Sequence, residues 1–220
     1  MKKLSIGDVS ITSIIERDGP WRTPREMFPA YDPIIGKHHI AELDSEVFDP
    51  ASGRMVITYQ TYIVRTPRYT VLIDTCTGED KGHPPPMDFP KQPWLDGFAA
   101  AGLRFEDIDY VFCTHLHIDH CGWNTVLRNG RWVPTFPKAK YIFHKSEYAA
   151  WEESTKRGET RAGGVAMCFT TIASRSSKLA RRCLSTTAIS STIRFGSSRR
   201  PATLPTIAAS ISARADSRPS

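Results

Sequence analysis

Nowhere in its 220 residues does this chain reach the roughly 18 to 20 uninterrupted apolar residues that a membrane-spanning helix needs, so a soluble protein is expected. No export signal is expected either: after Met1-Lys2-Lys3, the polar Asp8, Ser10 and Thr12 interrupt any apolar run before it develops. Cysteine is scarce, with Cys76, Cys113, Cys121, Cys168 and Cys183 making an odd set of five without a CxxC spacing. That argues against a disulfide framework and points to reduced thiols in a cytoplasm. Acid is almost absent from the last part of the chain. Residues 161–220 hold ten Lys and Arg against Asp216 alone, a charge of +9, whereas residues 1–160 hold nineteen against twenty-two and carry −3. The overall +6 therefore belongs to the tail and gives no basis for a nucleic-acid-binding body.

What remains is ordinary globular material, 40% apolar and 10% aromatic, in a chain long enough for one domain with a substantial core. Leu4 to Ile6 and Val9 to Ile15 read as a hairpin about Gly7-Asp8. From Glu16 to Gly53 runs a long Pro-, Gly- and aromatic-rich connection (Trp21, Phe28, Tyr31, Phe48), of the kind that lines a site or caps a core. Met55 to Arg65 and Tyr69 to Asp74 read as strands paired through Thr66-Pro67-Arg68. Leu95, Phe98 and Ala99 recur at helical spacing over Trp94 to Ala101, and Gly102 is placed to stop that helix. A helical turn at Phe105 to Ile108 precedes a short buried strand, Tyr110 to Cys113. After a loop over Gly122 to Pro137 come a strand, Lys140 to Phe143, and a helix, Lys145 to Glu153. Strands first, then alternating helix and strand, predict an α/β layered domain. Beyond about Gly164 the periodicity disappears and no aromatic follows Phe195. Residues 1–164 are expected to form the folded part, and 165–220 a disordered basic Ser/Ala/Arg-rich tail.

Chemistry concentrates where the buried strand ends, at His115-Leu116-His117-Ile118-Asp119-His120. Along an extended segment side chains two apart share a face, so His115 and His117 can address one metal ion. Asp119 and His120, as the chain turns, can address a neighbouring one. Imidazole and carboxylate together suit zinc, with manganese or iron as alternatives. A lone His-x-His is commonly a surface pair, but His-x-His-x-Asp-His directly after a buried β-run is a specific metal signature. His38-His39, His83 and His144 are isolated in loops, where surface or packing roles are the commoner explanation. For Cys113 and Cys121, which flank the motif, a buried neutral thiol is expected rather than a thiolate ligand.

The run from Asp109 through His120 followed by Gly122, with Ile73-Asp74-Thr75 standing for a strand-end Asp-Thr-Gly, resembles the metallo-β-lactamase superfamily. The stretch Gly122-Trp123-Asn124 through Trp132-Val133-Pro134-Thr135-Phe136-Pro137 is similar to members grouped with N-acyl-homoserine lactonases and methyl parathion hydrolases. The resemblance covers about residues 1–160. It implies an αββα sandwich, of which this chain carries the N-terminal half intact, and two metal ions bridged by hydroxide. His115 and His117 would bind one ion, and Asp119 and His120 the other. The bridging hydroxide, fixed by Asp119, would attack an ester, lactone or phosphoester of a small-molecule substrate. Asp74 would lie outside the ligand set and orient a ligand or the motif backbone, a structural strand-end role being its alternative. Cys76 stands where the family usually has Gly. The aromatics of residues 16–54 would form an apolar substrate mouth or simply cover the sheet.

The family's later ligands, a Pro-Gly-His-Thr-Pro segment, a bridging Asp and a final His, are absent from the amino-acid sequence. Read one base out of register, however, Pro201 through Ile207 give codons NCC, NGC, NAC, NCT, NCC, NAC and NAT. These can spell Pro-Gly-His-Thr-Pro-Asp-His, with every free base at a fourfold-degenerate position. The same shift turns Thr186-Thr187 into a potential Asp-Asp, which accounts for the missing acid. A shifted frame beginning between Glu159 and Phe169 is therefore the expectation, leaving two protein ligands per ion and a catalytically inactive fragment as the alternative to an active hydrolase. A nucleic-acid-binding arm, as in a ribonuclease-type relative, is the other reading of the tail, but its basic residues are scattered and lack interleaved aromatics.

Overall fold

The computed structural model describes residues 3–83, 85 and 87–157; the expected tail lies outside them. β1 (Lys3–Ile6) and β2 (Val9–Arg17) form the predicted hairpin, with Gly7 at φ +57 in its turn. β2 pairs antiparallel with β6 (Tyr59–Arg65), and β6 with β7 (Thr70–Ile73). The chain then crosses over through α3 (Gln92–Ala100) to β8 (Tyr110–Phe112), parallel to β7. β11 (Lys140–Ile142) adds parallel to β8, followed by α5 (Lys145–Lys156). The result is one mixed α/β sheet in the order β1-β2-β6-β7-β8-β11.

Register assigns the two faces of this sheet. Ile14, Thr61, Ile63, Leu72, Val111 and Tyr141 share one face and are buried. Trp94 and Phe98 of α3 cover it, and Trp94 stacks on Trp123 at 4.5 Å while its indole N–H donates to Thr61 Oγ1 at 2.9 Å. Amphipathic spacing explains α3, and Gly102, at φ +69, ends it as predicted. The opposite face is apolar too: Val71, Tyr110 and Ile142 cluster with Val64 and Phe112. Towards β2 that face opens, with Ile15 44% and Tyr62 40% exposed.

Three segments depart from the sequence reading. Residues 16–53 are structured, with α1 (Pro24–Met27) closed by a Thr23/Glu26 capping box and α2 (Pro33–Ala41) capped by Asp32. A small sheet in the order β3-β5-β4 joins β3 (Pro20–Arg22), β4 (Phe48–Asp49) and β5 (Arg54–Val56). Met55 to Arg65 is accordingly two strands rather than one, broken at Ile57-Thr58. Within 122–137, β9 (Thr125–Arg128) and β10 (Arg131–Pro134) form a hairpin over Asn129 and Gly130, both at positive φ, the backbone that a two-residue Asn-Gly turn supplies.

Candidate metal centre

Parallel strands β7 and β8 deliver the two halves of the site side by side. β7 ends in an elbow in which Asp74 and Cys76 both adopt left-handed φ, 56° and 45°. Asp tolerates that conformation because its short side chain bonds locally. Here Asp74 Oδ1 accepts the Thr114 amide at 2.7 Å, and Oδ2 accepts the Thr114 hydroxyl at 2.8 Å and His120 Nδ1–H at 2.8 Å. The elbow is thus fastened to the first residue after Cys113 and to the last histidine of the motif.

His115 and His117 do not lie in an extended strand; they occupy a bend, and α4 (Ile118–Cys121) starts directly after His117. The bend still gathers the rings, with centroids of His115 4.7 Å from His117 and 3.8 Å from His120. Thr114 Oγ1 gives its one proton to Asp74, so its 3.1 Å contact with His115 Nδ1 is a bond donated by the ring. In both His115 and His120 the Nδ1 edge is tied to a protein oxygen, which leaves Nε2 as the remaining edge, and that of His120 faces Asp119. His120 Nε2 lies 3.5 Å from Asp119 Oδ2.

Charge follows from this packing. Burial alone would lower the His120 pKa, but hydrogen bonds to Asp119 and Asp74 outweigh it and raise it to about 9. His115 is lowered, by burial first and then by the neighbouring His120 and His117. Burial would raise Asp119, but its bond to His120 and that ring's charge hold it below the ordinary carboxylate range. Tyr59 is raised by burial and then by the charge of Asp119, which brings this β6 residue into the site's field.

From the far side, α5 braces the bend. Glu147 Oε1 accepts the Leu116 amide at 3.0 Å and the Trp151 indole N–H at 2.8 Å, and Trp151 packs edge-on to His117 at 5.6 Å. Glu147 and Thr114 escaped the sequence reading. Thr114 was findable, since it immediately precedes the motif; Glu147 acts across 31 residues and carried no local signal. Of the other candidates, His38, His39 and His144 are exposed, and His83 is buried against the Thr77 carbonyl at 3.0 Å. Cys113 accepts from the Asn124 amide, and the Cys121 thiol donates to the His117 carbonyl; both are buried. Trp21 packs into the core against Tyr59 and Phe89, whereas Phe28 is exposed.

Nitrogen and carboxylate donors with oriented imidazoles fit a metal such as zinc in kind. They fall short in number: among the described residues no group of three or more His, Cys, Asp or Glu side chains is arranged to hold an ion.

A mixed sheet with a carboxylate elbow and a histidine turn at the ends of adjacent parallel strands makes this an α/β layered domain with its polar donors gathered at one end of the sheet. The chain belongs to the metallo-beta-lactamase superfamily, whose sequence profile matches residues 56–196. Its fold is similar to that of the hydrolase AbOPH of the beta lactamase superfamily, at 20% identity and a TM-score of 0.59, covering 83% of this chain and 58% of that one. It is likewise similar to AidC, a dizinc quorum-quenching lactonase (17% identity, TM-score 0.57, 84% and 60% covered). A probable metal-dependent hydrolase from Staphylococcus aureus also shares the fold (20% identity, TM-score 0.54, 71% and 54% covered). The chain thus spans between 54% and 60% of the length of these solved structures.

Proposed function

We propose that the chain carries half of the site of a dinuclear metal-dependent hydrolase acting on an ester, lactone or phosphoester, with zinc as the expected ion. The observation that carries this reading is the fixing of His115 and His120 by their Nδ1 edges, which presents both Nε2 edges as ligands. His115 and His117 would hold one ion, and Asp119 and His120 the other. Bound ions would supply Lewis acidity and the means to activate a water for attack. The chain's own residues do the orienting: Thr114 and Asp74 hold the imidazoles, Glu147 holds the bend between them, and Asp119 holds a proton acceptor beside His120. AidC, a lactonase that shares the fold, supports a lactone among these substrates. The buried cysteines Cys76, Cys113 and Cys121 support a reducing, cytoplasmic setting.

A second reading, an inactive fragment that retains half a site, is favoured by the short donor set. The tail, residues 165–220, is on this proposal read from a shifted frame. Zinc and cobalt titration of the purified chain, together with a panel of lactones and phosphotriesters, separates the two readings. Stoichiometric uptake of two ions with turnover supports the hydrolase; weak uptake without turnover supports the fragment.

A further inference from the structure

The metal motif does not stand on its own loop. The Asp74 elbow and the residues after His120 are stitched together by their backbones: Thr75 N–H donates to the His120 carbonyl at 2.8 Å, Gly122 N–H to Cys76 at 2.8 Å, and Trp123 N–H to Thr75 at 2.9 Å. Beyond Cys76 the elbow faces a problem of its own geometry. Asp74, Cys76 and Gly78 all adopt positive φ, so the amides of Thr77 and Gly78 turn away from any strand partner and converge, as successive amides of such a turn do, on a concavity that suits an anion.

Glu16 fills that concavity. The register of β2 shifts between Ile15 and Arg17, and such a bulge re-aims the side chain at its centre; Glu16 is 2% exposed. Its Oε2 accepts the Thr77 amide at 2.9 Å and the Thr77 hydroxyl at 2.7 Å. Its Oε1 accepts the Gly78 amide at 3.2 Å and the Trp123 indole N–H at 2.7 Å. All four partners donate, which matches a carboxylate, an acceptor only. Three belong to the turn that continues the Asp74 elbow, and the fourth, the Trp123 indole, belongs to the segment that continues the motif. Burying a carboxylate in an apolar core is costly unless every lone pair is used. Here its use is to hold these two segments at a fixed separation.

We propose that Glu16 is a positioning residue for the metal centre: from the sheet it clamps the elbow bearing Asp74 to the chain leaving His120, and so sets the geometry of donors it does not touch. The inference rests on the metal-site reading above. Glu16→Gln tests it without changing volume, because an amide offers one accepting oxygen and places an NH2 against at least one of the three N–H donors. Ile63→Val, on the same sheet face, serves as a control that loosens the core without touching the clamp.

In the full chain, Glu16→Gln is expected to weaken cobalt(II) binding about tenfold, as loss of partners behind metal ligands does, and to shift the visible ligand-field bands. It is also expected to lower hydrogen-exchange protection at the Thr75, Gly122 and Trp123 amides selectively. Ile63→Val should leave affinity and bands unchanged. Wild-type affinity, bands and protection in Glu16→Gln, or equal losses in the control, would overturn the proposal. If the wild-type chain takes up no cobalt, the metal-site reading fails and the exchange data alone decide. Selective loss at the three amides then supports the clamp, and uniform loss overturns it. Should Glu16→Gln not fold, Trp123→Phe removes one donor of the four and is read by the same measurements, with a smaller effect in the same direction.

Discussion

At His120 burial and hydrogen bonding pull in opposite directions, and the bonds to Asp119 and Asp74 win. Its folded pKa of about 9 lies above the ordinary 6.5, so the group contributes stability that is fully present below pH 6.5 and is lost as pH rises through 9. The side chain is 28% exposed, so the full shift is discounted, to on the order of 2 kcal/mol. We therefore expect the melting temperature of the metal-free chain to fall between pH 6.5 and 9, and Asp74→Asn to flatten that decline. A flat wild-type profile over this window would contradict the role assigned to the pair. The four proposed donors were legible in the sequence because they are adjacent in it and because each residue type advertises its chemistry. The groups that aim them were not. Glu16 meets Thr77 across 61 residues and Trp123 across 107, and a lone Glu near the end of a β-run looks like a solvated one until the bulge turns it inward.

Elements meet most tightly where the elbow crosses the start of the chain beyond α4. Gly78 and Gly122 face each other there: a Cβ on Gly122 would fall on the Thr77 carbonyl, and one on Gly78 on the Gly122 carbonyl. Gly122 has φ −62°, a value any residue adopts, so its requirement for glycine is purely steric. Gly122→Ala should therefore force the two backbones apart at a cost of about 1–3 kcal/mol. That corresponds to a melting temperature lowered by roughly 5 °C, with weaker cobalt uptake alongside. An alanine variant that melts like the wild type would show that the two turns are free to separate. Elements with a regular period were legible throughout: the β1–β2 hairpin, β7, β8, α3 and α5 all fall where alternation or helical spacing puts them. The short ones inside long connections were not, although Asn129-Gly130 between apolar residues and Asp32-Pro33 before α2 carried turn and cap signals that could have been read.

At the scale of the whole molecule, the sheet is apolar on both faces and α3 with its neighbours covers one of them. A sheet of this kind is stable when both faces are covered, and the open side around Ile15 and Tyr62 lies on the face away from α3. The shifted-frame proposal joins this face, open among the described residues, to the short donor set found among them, because a single cause would remove both a second layer and the later ligands. A one-base correction of the coding sequence within the codons for residues 159–169 should replace the basic tail with one containing Pro-Gly-His-Thr-Pro-Asp-His. The corrected chain should bind two zinc ions where the 220-residue chain binds them weakly, melt at a higher temperature, and raise affinity by well over the tenfold that one added ligand-orienting contact gives. Calorimetric titration of both chains under the same conditions measures this. Equal zinc affinity in the two, or a coding sequence whose codons cannot spell that segment in the alternative frame, would leave the tail as genuine protein and the half-site as the whole of what this chain offers a metal.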